Sequence, residues 1–160
     1  MLSWLRAKGT KLPLENPPLN RMTIAVLALV GFFVAIYLFA HSIGLTGPLV
    51  CGVGDCATVQ SSRYAQIGPV PVSGIGLGGY AALFVVAMVG IQPAHMGSAW
   101  VARLLALGAA FGAGFSAYLT YLEAAVIHAW CQWCVISAVL MGLIFFASLP
   151  EWRRLRGGRE

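Results

Sequence analysis

Apolar and polar positions fall into long separate blocks along this chain. Residues 22–43, MTIAVLALVGFFVAIYLFAHSI, form the first apolar block. At 1.5 Å per residue it is long enough to cross a hydrocarbon core about 30 Å thick. Further blocks cover 73–91, 99–127 and 131–149, the last stopping at Pro150. The pattern predicts an all-α membrane protein. It is a four-transmembrane-helix bundle in a single domain over 1–160, with an extracytoplasmic loop or half-helix between the first two helices. The first block is too long and begins too late for a cleaved signal peptide, so it reads as a retained helix.

Composition agrees: 59% of residues are hydrophobic and only 9% are charged. A soluble chain of this size could not cover so much apolar surface. The net charge of +5 is concentrated at the ends, where eight of ten Lys and Arg lie in tails at 1–21 and 150–160. These are Arg6, Lys8, Lys11 and Arg21, then Arg153, Arg154, Arg156 and Arg159. Such flanks suit anionic head groups and set topology, and they argue against nucleic-acid binding. The positive-inside rule puts both termini in the cytoplasm of a multi-pass inner or plasma membrane protein. The 44–72 and 128–130 connections then face outward, carrying all four cysteines with them.

Within the long connection, GLTGPLVCGVGDC reads as a Gly- and Pro-rich loop. ATVQSSRYAQI is a candidate short helix over the mouth of the bundle, and GPVPV leads back into the membrane. Gly74, Gly76, Gly78 and Gly79, with Gly108, Gly112 and Gly114, are read as close-packing positions between helices.

The cysteines are spaced C-x4-C (Cys51, Cys56) and C-x2-C (Cys131, Cys134). Three readings are open. They are inert hydrophobes or static disulfides, a zinc site, or an electron relay by thiol–disulfide exchange. The relay is favoured, and it uses no metal. Cys131 lies near a helix N-terminus, where free backbone N–H groups and the helix dipole favour a thiolate. Cys134 shares its face one turn deeper, within reach of a lipid-soluble oxidant. The loop pair faces water and a soluble dithiol protein.

The segments CGVGDCATVQSSRYAQIGPVPVSGIGLGGYA and WCQWCVISAV resemble the vitamin K epoxide reductase family in its bacterial form. The resemblance implies a four-helix bundle around a quinone pocket capped by the loop, and disulfide-bond formation outside the cytoplasm. It implies that Cys134 faces the quinone (menaquinone or ubiquinone). Cys131 exchanges with the loop, Cys56 shuttles to Cys131, and Cys51 meets a separate thioredoxin-like (DsbA-like) partner. Ser62 matches a serine near the active-site cysteines. Where mammalian members have a tyrosine and an asparagine that hold vitamin K, this chain has Ala138 and Val72 or Ser73. The resemblance therefore points to plain quinone reduction. Trp133 is a candidate pocket wall, His128 a candidate thiolate or proton support, and Glu123 an acidic group at membrane depth. Arg63 is a candidate either to cap the site or to pair with Asp55. The rivals are a DsbB-type quinone-linked oxidase, whose cysteine pairs occur in the opposite order, and a non-catalytic zinc-binding or structural membrane protein.

Overall fold

The computed structural model describes residues 19–157. Arg6, Lys8, Lys11 and Arg159 of the basic tails lie outside the described residues. The chain runs α1 (Leu19–Ser42), α2 (Cys56–Ser61), a 3-10 turn (Arg63–Ala65), β1 (Gln66–Ile67), β2 (Val70–Pro71) and α3 (Val72–Ile91). A second 3-10 turn (Pro93–His95), α4 (Ala99–Leu122), a π-turn (Glu123–Ile127) and α5 (Gln132–Gly157) follow.

α1, α3, α5 and the α4 segment through Ile127 are each long and apolar enough to cross a membrane. The 20 residues of α3 reach about 30 Å, one hydrocarbon thickness. Large side chains such as Val26, Phe33, Phe111 and Phe146 point outward. That is the stable arrangement only where the surroundings are lipid. Inside, Ile24, Ala28, Tyr80, Leu105, Ala109 and Ile144 form the core. α1 packs on α3 and α5, and α4 on α5, while α3 and α4 pack less extensively.

Small residues allow these approaches. A Cβ on Gly31 would collide with the Tyr80 ring, and one on Gly112 would lie 2.6 Å from Met141 Sδ. Gly74 and Gly108 also meet neighbouring side chains, whereas Gly76, Gly78, Gly79 and Gly114 face open space. The packing reading therefore holds for only part of that glycine set.

Two expectations about the far end of the bundle are corrected. α5 does not stop at Pro150 but continues to Gly157. Arg21 is not part of a solvated tail: it lies inside α1 and is 1% exposed. The two facts have one cause. Arg21 Nε and Nη2 donate to the two oxygens of Glu151 at 2.9 Å each, and Asn20 Nδ2 donates to Oε1 at 2.6 Å. Arg21 Nη1 also donates to Gly90 O at 2.7 Å, tying in the end of α3. Pro150 removes one backbone donor from the helix. The fully satisfied ion pair one residue later holds the chain in helical register.

At the cysteine end, the short helix expected over 57–67 ends early. Ser62 is extended (φ −69°, ψ 153°), and both its N–H and its Oγ donate to Val59 O. A hairpin follows, pairing Gln66 with Pro71 and Ile67 with Val70. Asp55 starts α2, its carboxylate accepting from Thr58 N (3.0 Å) and Thr58 Oγ1 (2.6 Å). Those bonds, the side-chain one first, hold the Asp55 carboxyl below its ordinary range. Arg63 lies over the ring of Tyr64 instead of pairing with Asp55.

Candidate functional site: two cysteine pairs above an apolar cavity

All four cysteines gather at one end of the bundle. Cys56 is 1% exposed and Cys131 fully buried, and they pack in one cluster with Val59, flanked by Leu49, Ile127, Cys51 and Cys134. Cys51 and Cys56 are joined as a disulfide, and Cys131 and Cys134 are free thiols. Their sulfurs are 2.8 Å apart, and Cys134 N–H donates to Cys131 Sγ at 3.4 Å. Cys131 precedes the first turn of α5, so its sulfur meets the free N–H groups there. The hydrogen bond from the Cys134 thiol, reinforced by the Cys134 amide, holds Cys131 below the ordinary thiol range. Burial and the charge of Glu123 oppose this.

The loop is docked on the start of α5 by backbone-directed bonds. Gln132 Oε1 accepts from Gly52 N (2.9 Å) and Val53 N (3.1 Å). Trp133 Nε1 donates to Val50 O at 2.9 Å, and Val50 N donates to Tyr37 Oη at 3.2 Å. Asp55 N donates to Trp130 O at 2.8 Å, and Gly54 bridges to Cys131 in antiparallel fashion. Gly54 has φ +89°, and a Cβ there would collide with the Trp130 carbonyl. Only glycine meets both conditions at no cost.

Below the cysteines lies a cavity of about 390 Å³. Its walls come from α1, α3, α4 and α5, with α2 and the 3-10 turn as lid. Almost all of it is apolar. Cys134, Gln60, Glu123 and Ser62 are the polar groups toward the lid, with Ser73 at the start of α3, while Ser116, Thr120 and Ser137 line the walls. A volume of this size in a mostly apolar wall is what a small ring-shaped ligand requires. Gln60 Nε2 donates to Cys134 Sγ at 3.6 Å. Tyr80 closes the α3–α5 wall by donating to Ser137 O at 2.8 Å.

The residues singled out from the sequence fall into two groups. Cys134, Ser62, Val72 and Ala138 line the cavity. Trp133 does not. Its side chain is drawn to the loop, where it bonds Val50 and meets the Tyr37 ring edge-on. The expectation of Trp133 as a pocket wall is thus replaced by a role as loop anchor. His128 ends the π-turn in a left-handed conformation (φ 57°), and its Nδ1 contacts Val126 O, not a cysteine. Glu123 is 4% exposed, and its Oε2 accepts the Cys131 N–H at 3.1 Å. Gln60, Gln132, Tyr37 and Gly54 escaped the sequence reading. Only Gln60, four residues after Cys56 and so on its helical face, carried a usable signal. The four sulfurs are paired two and two, and among the described residues no three His, Cys, Asp or Glu groups converge as metal ligands do.

A helical membrane bundle that brings a disulfide and a vicinal dithiol together over a lipid-level cavity defines a membrane thiol oxidoreductase with two cysteine redox pairs. The chain matches the vitamin K epoxide reductase family over residues 22–149 and belongs to that family.

Proposed function

We propose that the protein oxidises an extracytoplasmic thioredoxin-like (DsbA-like) dithiol and passes the electrons to a membrane quinone, either menaquinone or ubiquinone, in support of disulfide-bond formation. Cys51 takes the partner's thiolate. Cys56 exchanges with Cys131, and Cys134 faces the electron acceptor. Both termini are cytoplasmic, so the cysteine end faces the compartment in which disulfides persist. The single observation that carries this reading is the position of Cys134. Its sulfur touches Cys131 on one side, and its side chain lines the apolar cavity on the other.

The residues present fit a quinone head group. The cavity is mostly apolar and large enough, and it carries polar groups beside the sulfur. Bound there, a quinone supplies a two-electron, two-proton acceptor. The remaining chemistry belongs to the chain. Asp55, Gln132, Trp133 and the Trp130 carbonyl hold the loop so that Cys56 stays buried against Cys131. Gln60 directs an N–H at Cys134. Ala138 presents no hydrogen-bonding side chain to the cavity where the mammalian members have a tyrosine, which supports plain quinone reduction over epoxide reduction.

The test is quinone consumption by the purified protein in lipid nanodiscs with a reduced thioredoxin-like donor. Cys134→Ser and Cys131→Ser should each abolish it, while Cys131→Ala should trap a mixed disulfide between Cys51 and the donor. Wild-type turnover by Cys134→Ser would end the proposal. Labelling of either pair from the cytoplasmic side would overturn the topology.

A further inference from the structure

Glu123 stands out among the groups not yet used. It follows α4 in the π-turn, is almost fully buried, and lines the same cavity as Cys134. Its Oε2 accepts the Cys131 amide at 3.1 Å, and its carboxyl adjoins the Cys134 thiol. The titratable groups that face it are the Cys131 and Cys134 thiols. Among the described residues no Lys, Arg or His forms an ion pair with it. A carboxyl kept in an apolar layer without a cation is costly, and such groups mark proton paths.

We propose that Glu123 is the proton carrier between the redox thiols and the cavity, a role that rests on the quinone reading above. When the Cys131 and Cys134 sulfurs bond to each other, two S–H bonds break, and two electrons and two protons leave. The quinone takes both electrons, and its two carbonyl oxygens take the two protons, which gives the hydroquinone. Glu123 accepts one thiol proton as its O–H bond forms, then releases it to the nearer quinone oxygen and returns to carboxylate. The π-turn contributes by keeping the carboxyl at the cavity wall while its Oε2 remains on the Cys131 amide. The role therefore does not require the side chain to move away from the sulfurs.

The variant to compare is Glu123→Gln, which keeps an oxygen for the Cys131 amide and nearly the same volume but cannot carry a proton. Two measurements use the full chain in nanodiscs. The first needs no quinone: redox-difference infrared spectra of the Cys131/Cys134 pair, poised with a dithiol buffer. The wild type should show a carboxyl band that changes with oxidation and is missing in Glu123→Gln. The second is single-turnover oxidation of the prereduced protein by a soluble short-chain quinone across pH. Glu123→Gln should be slowed about 100-fold, in the range of general acid–base catalysis. Its rate profile should lack one ionisation, while exchange between Cys56 and Cys131 stays at the wild-type rate. Absence of the carboxyl band in wild type overturns the proposal. So does an unchanged rate and pH profile in Glu123→Gln, and so does an equal slowing of quinone reduction and loop exchange, which is the mark of a merely structural role. If wild type shows the band yet the quinone does not oxidise the prereduced pair, the quinone reading fails and the delivery step falls with it.

Discussion

Replacing Gly54 by alanine tests how tightly the loop must be held for electrons to cross between the two pairs. The new methyl meets the Trp130 carbonyl, and the backbone must either keep φ +89° with a side chain or relax. Strain of a non-glycine residue in this region costs about 1–3 kcal/mol. Relaxing it pulls Asp55 N–H from Trp130 O, now a 2.8 Å bond, at about 1 kcal/mol. With either response costing about 1–3 kcal/mol, the docked population falls relative to the undocked one by roughly 5- to 150-fold. Cys56, buried in the native loop, then becomes accessible. The assay has two parts. With the loop pair reduced, maleimide labelling of Cys56 should rise strongly. Exchange from Cys56 to Cys131 should slow by one to two orders of magnitude, while the Cys131/Cys134 pair, once reduced, still oxidises at its normal rate. Gly52→Ala is the control. Its Cβ would meet only the flexible end of Gln132, at 3.2 Å, and its φ is outside the left-handed region. Its effect should be small. Equal labelling and equal exchange in Gly54→Ala and wild type would refute the claim that this contact sets the docking.

Two further outcomes are expected. Removing one member of the buried Arg21–Glu151 pair, by Arg21→Ala or Glu151→Ala, should cost about 3–5 kcal/mol, while Arg21→Met with Glu151→Leu should recover most of it; unfolding in mixed micelles measures both, and near-neutral single variants would show that the pair does not hold the helix ends. Protonation of Asp55 should loosen α2: its carboxyl titrates below its unfolded value in the folded chain, so its support is complete above that unfolded value and disappears as pH falls through the lower folded one. Hydrogen exchange at the Thr58 amide should follow that acid-side window in wild type and lose it in Asp55→Asn.

Local patterning carried much of the architecture. An apolar block of about 20 residues has few options other than a membrane helix, because lipid cannot satisfy backbone polar groups. The four crossings, the redox cysteine pairs and the family were therefore legible from residues alone. So was the suspicion that falls on an acidic residue at membrane depth. Wherever a partner far along the chain intervened, the local rules failed. Pro150 is a stop signal by itself, but Arg21, 130 residues away, binds Glu151 and carries α5 past it. Trp133 sits on the helix of the pocket cysteine, yet a carbonyl at Val50 and the ring of Tyr37 turn it to the loop. The meeting of Glu123 with the Cys131 amide depends on a π-turn and on a left-handed His128, neither of which has a periodic signature. Hydrophobicity is a property each residue carries into the bilayer alone, so the sequence by itself determined the spans. A hydrogen bond or an ion pair needs two groups in register, so only the tertiary structure decided which side chains reach the sulfurs and which hold the loop above them.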